Sequence, residues 1–187
     1  QNSNKEKKKT SLYERYLEKI KILNKSSPIT TNKLLYNFQY TGIILKNIPR
    51  SKIVFCYRDP LDNILSIYRA HFSKSNYYAS SIIETAHFYA HHKDIMNKYI
   101  EKYREKIYAL NYDLLVSDPS NEIKKMITWL GWEWNDFYLT PHLNKRSVST
   151  ASNIQVRSPI NNNSLGGWKN YRYILKPAIE IIENKKI

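Results

Sequence analysis

Residues 52–69 read Lys52-Ile-Val-Phe-Cys-Tyr-Arg-Asp-Pro-Leu-Asp-Asn-Ile-Leu-Ser-Ile-Tyr-Arg69, and within them the hydrophobic pattern changes from that of a strand to that of a helix. Ile53 to Tyr57 is a short apolar and aromatic run with little polar interruption, the pattern of a parallel strand covered on both faces. Asp59-Pro60 stops it, because Asp is a good N-cap and Pro at the first helical position gives up no needed hydrogen bond. Ile64, Leu65 and Tyr68 follow at helical spacing and leave Asp62, Ser66 and Arg69 on another face. Arg58 then stands at the carboxyl end of a buried strand, where open α/β sheets bind their ligands. The same residues also allow a purely structural turn in which Arg58 pairs with Asp59 or Asp62. Ser66 lies about 9 Å along the helix from Pro60, so a ligand touching both Arg58 and Ser66 must run along the helix flank.

Upstream, Leu12, Tyr16, Leu17, Ile20 and Leu23 predict an amphipathic helix over 11–24, capped by Thr10 or Ser11. Ile29-Thr30-Thr31 reads as a short strand, and residues 37–47 as a helix with Phe38, Thr41, Ile44 and Leu45 inward, closed by Pro49. Downstream, Ser81-Ile-Ile-Glu84 is a capping box that opens a long helix through Ile82, Ala86, Tyr89, Ala90, Met96 and Tyr99. His87, His91 and His92 lie on it without a carboxylate or cysteine cluster, so they are expected to be solvated or packed, and no metal site is expected. Ile107 to Asn111 is a second buried strand, and Asp118-Pro119 opens a helix that Gly131 closes. The rhythm predicts an α/β fold, with strands near 29–32, 52–57 and 107–111 parallel in one sheet flanked by helices. Trp129, Trp132 and Trp134 are expected in the core. Residues 145–171 are polar and hydroxyl-rich, a loop too long to be a plain connection and suited by its Arg, Ser, Thr and Trp to anion contacts.

The 187 residues suffice for one domain with a real core, and 30 Lys+Arg against 16 Asp+Glu give a net charge of +14. Such a field draws nucleic acid, anionic membranes or phosphorylated ligands without choosing among them. Residues 1–10 are expected to be a disordered basic tail. The single Cys56 excludes an intrachain disulfide and, from its place in the apolar run, is assigned to core packing. No apolar run approaches the roughly 20 residues that span a bilayer.

Several motifs together carry a family resemblance. Arg58-Asp-Pro-Leu-Asp-Asn-Ile-Leu-Ser66 resembles the segment of sulfotransferases that binds the 3′-phosphate of 3′-phosphoadenosine 5′-phosphosulfate (PAPS). Asn32-Lys33 with Tyr36-Asn37-Phe38 resembles the Lys-containing turn of the tyrosylprotein sulfotransferase branch and its bacterial relatives. Tyr112-Asp113-Leu114-Leu115, the stretch from Thr150 to Ile160, and Ser164-Leu-Gly-Gly-Trp-Lys169 resemble later motifs of that branch in the same order. The resemblance covers roughly residues 12–180.

It implies a P-loop-NTPase-like sulfotransferase fold that moves a sulfonate from PAPS to a hydroxyl acceptor, a peptide or protein tyrosine among the acceptors admitted. Arg58 and Ser66 would hold the 3′-phosphate of PAPS or of the product 3′-phosphoadenosine 5′-phosphate, and Tyr112 would contact adenosine. Arg69, Gly166 and Trp168 join the implied nucleotide contacts. Gly167 stands where the branch commonly has a basic residue, so Lys169 or Arg157 would serve instead. Lys33 and Ser152 would sit near the transferring sulfonate, where an ammonium and a hydroxyl meet the charge that develops on the bridging oxygen.

The family's Gly-rich phosphosulfate loop and its acidic base are not found in the sequence, which opens on Gln1. Residues 11–187 are therefore expected to be the C-terminal portion of a single sulfotransferase domain, incomplete at its N-terminus and catalytically silent alone. A bacterial chain of this kind would be expected in the cytoplasm. The alternative from another class is a non-catalytic basic module that binds nucleic acid or another polyanion, supported by charge and interspersed Tyr and Trp but by no recognised motif. The sulfotransferase reading expects no nucleic-acid partner and no membrane span in this segment.

Overall fold

The computed structural model describes residues 11–23, 27–70, 72, 76–145 and 155–185, which leaves the basic tail and Ser152 outside the described residues. The chain divides into two compact units between Lys52 and Ile53.

In the first unit α1 spans Leu12–Leu23. Its cap is reciprocal: the Glu14 N–H donates to Ser11 Oγ at 3.2 Å, and the Ser11 N–H donates to Glu14 Oε2 at 2.7 Å. The strand expected near 29–32 does not form. Ser27 Oγ donates to the Ile29 carbonyl at 2.9 Å and accepts the Ile29 N–H at 3.3 Å, so a side chain takes both backbone groups that a ladder would need. The helix expected over 37–47 begins as a 3₁₀ segment, Leu35–Tyr40, and becomes α2 over Thr41–Asn47. Thr41 and Leu45 are buried, and the helix ends at an extended Ile48, the conformation that Pro49 requires of its predecessor.

The second unit holds β1, Ile53–Tyr57, and β2, Ile107–Asn111, paired in parallel from Ile53 with Ile107 to Tyr57 with Asn111. The crossover between them carries α3, Pro60–Arg69, and α4, Ile82–Lys102. Asp59 Oδ1 caps α3 by accepting the N–H groups of Leu61 and Asp62, both at 2.9 Å, and Ser81 caps α4. After β2 come α5, Tyr112–Ser117, and α6, Pro119–Leu130. Gly131 ends α6 at φ 77°, and α7 follows at Lys176–Asn184. The core is helical: Leu61, Ile64 and Leu65 of α3 meet Ala86 and Tyr89 of α4, then Leu175, Ala178 and Ile182. Trp168 packs on this cluster from the loop before α7.

The α/β expectation holds in coarse form, as helices with a small parallel sheet that has two strands among the described residues. Several finer expectations do not. Among the described residues β1 is not covered on both faces: only Phe55 is buried, and Cys56 is exposed rather than core, because successive side chains of a strand point to opposite faces and the Cys56 face is the less covered one. Tyr68, in the last turn of α3, remains 43% exposed. Trp129 and Trp132 are half-buried and Trp134 is exposed, its Nε1–H donating to Asp136 Oδ1 at 2.9 Å. After Gly131 the chain continues in short 3₁₀ turns at Asp136–Leu139 and Pro141–Leu143 with no buried residue, so Trp132 and Trp134 are not core, and Trp129 packs on the half-buried Tyr108 at 5.4 Å. His92 packs edge-on against Phe55 at 5.3 Å, while His87 and His91 are exposed.

Candidate anion site at the strand ends

Parallel register dictates the site. Tyr57 pairs with Asn111, so the next residues, Arg58 and Tyr112, leave the sheet side by side, and the Arg58 Cζ lies 5.1 Å from the Tyr112 ring centroid. Both turns are clamped to each other. Asp113 Oδ2 accepts the Asp59 N–H at 2.7 Å, and Tyr89 Oη donates to the Arg58 carbonyl at 3.1 Å. Asn111 Oδ1 caps the turn into α5.

The Arg58 side chain reaches across to the C-terminal loop. Its Nη2 donates to the Ser164 carbonyl at 2.6 Å and lies 3.6 Å from Asp62 Oδ2. The Asp62 carboxylate is only 4% exposed and accepts two further donors, the Gly166 N–H at 2.6 Å and the Trp168 N–H at 2.9 Å. Gly166 makes this possible with φ 66°, and the Lys169 N–H closes the turn on the Gly166 carbonyl at 3.1 Å.

Two polar atoms at the strand ends are buried without a hydrogen-bond partner among the described residues, a donor at Arg58 Nε and an acceptor at Asp113 Oδ1. Buried donors and acceptors are seldom left unmade, so each has capacity for a further partner. Tyr89 stays a neutral donor. Burial, then the carboxylates of Asp59 and Asp113 and the neighbouring Tyr57, push its hydroxyl up from 10.0 to about 12. Next to this end of β1, Lys93 Nζ lies 3.9 Å from the Tyr57 ring centroid, and burial holds its ammonium below the ordinary lysine range.

The structure therefore brings Arg58, Tyr112, Gly166 and Trp168 into one neighbourhood. Ser66 lies exposed farther along α3, and Arg69 stacks over Tyr171 at 5.7 Å. Lys169 is exposed, with its chain folded near Gly166. Arg157 is held elsewhere, donating from Nη1 to the Asn144 carbonyl. Lys33 belongs to the other unit and is exposed. From the sequence, Asp62 is expected only as a structural partner of Arg58, and Asp113 and Tyr89 have no expected role at the site. The signal for Asp62 was its place four residues after Arg58 in the first turn of a helix.

A model of the sulfotransferase family matches residues 4–136. The chain belongs to the sulfotransferase family. The matched stretch contains Lys33, Arg58, Ser66, Arg69 and Tyr112, and ends before Arg157, Gly166, Trp168 and Lys169. The chain is also similar to a protein of Aquifex aeolicus (strain VF5) described as uncharacterized, 31% identical over 171 residues. That similarity covers 90% of this chain and 22% of the relative, so the chain spans less than a quarter of the relative's length.

Proposed function

We propose that this sulfotransferase-family chain binds the 3′-phosphoadenosine end of PAPS and serves sulfonate transfer to a hydroxyl acceptor. The observation that carries the reading is the buried Arg58 Nε–H, without a partner among the described residues, at the carboxyl end of a parallel strand and flanked by an aromatic ring. A phosphate oxygen would complete that donor, since charge-assisted bonds from guanidinium to phosphate are among the strongest in proteins. Tyr112 offers its ring to adenine, and Ser66 and Arg69 extend polar contacts along α3. Gly166 and Trp168 give their N–H groups to Asp62, so their part in nucleotide binding is to shape the loop. Of the two alternative cations, Lys169 has its side chain beside Gly166 and supplies the charge in this reading, whereas Arg157 would first have to leave the Asn144 carbonyl.

Bound PAPS supplies an activated sulfonate. In transfer to an acceptor hydroxyl, a peptide tyrosine among the candidates, Lys33 and Ser152 would meet the negative charge left on the bridging oxygen. A P-loop-NTPase-like architecture for the whole protein is part of the same proposal. The test is a titration of residues 1–187 with 3′-phosphoadenosine 5′-phosphate, 5′-AMP and ATP. Preference for the first supports the reading. Equal, steeply salt-dependent binding of all three and of nucleic acid would replace it with a general polyanion-binding module.

A further inference from the structure

We infer that Asp62 is the positioning residue of the anion site, one buried carboxylate that aims the Arg58 guanidinium and ties it to the loop 164–168. This inference rests on the proposed binding of 3′-phosphoadenosine at Arg58. A carboxylate that is 4% exposed has lost most of its hydration, a loss that only paired and hydrogen-bonded charges survive. Asp62 has three such partners. Oδ2 takes the Gly166 N–H and faces Arg58 Nη2, and Oδ1 takes the Trp168 N–H.

The arrangement does two things at once. Arg58 Nη2 is fixed on one side by Asp62 and the Ser164 carbonyl, and the guanidinium lies over the Tyr112 ring. Because the guanidinium is a planar, rigid fork, holding Nη2 fixes where the unpartnered Nε–H can meet a ligand. The loop is held by the same atoms. Gly166 adopts its left-handed backbone with its N–H on Asp62, and Trp168 buries its indole against the α3–α4–α7 core with its N–H on Asp62. Arg58 and the loop are therefore not independent. A phosphate that orders Arg58 also orders the amides of Gly166 and Trp168, and by linkage a well-formed loop strengthens phosphate binding.

Two measurements test this. The first compares binding of 3′-phosphoadenosine 5′-phosphate with binding of 5′-AMP, which lacks the 3′-phosphate, in the parent chain and in Asp62→Asn. Asparagine has one oxygen where aspartate has two, so one loop N–H loses its acceptor and Arg58 loses its counter-charge. The expected result is a preference for the 3′-phosphate that falls by on the order of tenfold or more, with 5′-AMP affinity changed far less. Asp62→Glu, which restores the charge, should recover part of the preference. A merely structural aspartate would lower both affinities together and leave their ratio alone, which would overturn the inference. A ratio that rises would overturn it too, showing that Asp62 competes with the ligand for Arg58. A parent with no preference for the 3′-phosphate would sink the proposed function itself, before any variant is read.

The second measurement needs no variant and decides the matter if Asp62→Asn fails to fold. Hydrogen exchange at Gly166 and Trp168 is followed in the parent chain with saturating 3′-phosphoadenosine 5′-phosphate and with saturating 5′-AMP. Slower exchange at both amides with the first ligand alone is expected. Bound 3′-phosphoadenosine 5′-phosphate that leaves their exchange unchanged would refute the coupling while leaving the binding reading intact.

Discussion

Arg58, one of the cations expected to bind the nucleotide, and Lys33, the cation expected at the transferring sulfonate, stand in opposite surroundings. Arg58 is held by a carbonyl, a buried carboxylate and an aromatic ring, and its own carbonyl is held by Tyr89. Lys33 is exposed on an irregular stretch whose nearest fixed feature is the bond from Asn37 Nδ2 to Asn32 Oδ1 at 2.8 Å. A side chain held by the fold reports on stability and ligand binding together. An exposed one can be removed without the fold noticing, so any activity it carries is separable.

The largest break in that contrast comes from Arg58→Ala. It leaves Asp62 buried without its counter-charge, and breaking such a pair costs about 3–5 kcal/mol, so urea unfolding should show a loss of that order. Binding of 3′-phosphoadenosine 5′-phosphate should weaken by a further 2–5 kcal/mol or about that, read by calorimetric titration at a temperature where the variant is folded. Arg58→Lys should recover only part of either. Parent-like stability in Arg58→Ala would mean the contact with Asp62 contributes nothing, and the contrast with Lys33 would collapse.

Adjacent glycines sharpen the contrast at the loop. Gly166→Ala forces a side chain into φ 66° and should cost about 1–2 kcal/mol. Gly167→Ala places a Cβ 3.7 Å from Asp62 Oδ1, an ordinary contact, and should change stability by less than about 0.5 kcal/mol. Thermal unfolding of the two variants side by side checks the difference. The reverse order would mean that the Gly166 turn is not what fixes Asp62.

Tyr89→Phe removes the bond to the Arg58 carbonyl, a loss of about 1 kcal/mol. It should also alter the alkaline limb of stability. The folded hydroxyl titrates near 12 against 10.0 when unexposed to these neighbours, so above pH 10 the unfolded chain gives up its proton first. Native Tyr89 then holds more protons, and its contribution, complete below pH 10, is lost as pH rises toward 12. Denaturation midpoints measured across that window should fall less steeply for Tyr89→Phe than for the parent.

Lys33→Ala, like Gly167→Ala, is expected to stay within about 0.5 kcal/mol of the parent in stability. On the proposed function, the same change should lower kcat for sulfonate transfer well beyond its effect on the KM for PAPS. A variant that loses PAPS binding at unchanged kcat would move Lys33 to a ground-state role.

What the sequence disclosed was local. The switch at Asp59-Pro60, the caps at Ser11, Ser81 and Asp118 and the stop at Gly131 all stand in the structure, because each is fixed by neighbours within four residues. What it hid was remote or cooperative. Asp62 meets Gly166 and Trp168 more than a hundred residues away, and no spacing rule connects them. Ile29-Thr30-Thr31 has β-branched composition, yet a strand exists only with a partner, and the side chain of Ser27 claims the Ile29 backbone. Cys56 has the company of a core residue, but its burial depends on what covers that face of β1. The candidate site was legible as a position, the end of β1, and not as a set of contacts.

The register of β1 on β2 also sets an order of events. Ile53 and Ile107 are more than fifty residues apart in the chain, so their pairing must close a long loop, whereas α3, α4 and the caps between them form from near neighbours. Helices α3 and α4 should therefore assemble first and the two strands zip late. The Arg58–Tyr112 juxtaposition exists only after that last step. Arg58→Ala should then speed unfolding and leave the refolding rate nearly untouched, a low φ-value in a denaturant chevron. A refolding rate that drops with the full loss of stability would instead make the strand ends the nucleus, with the anion site its earliest structure.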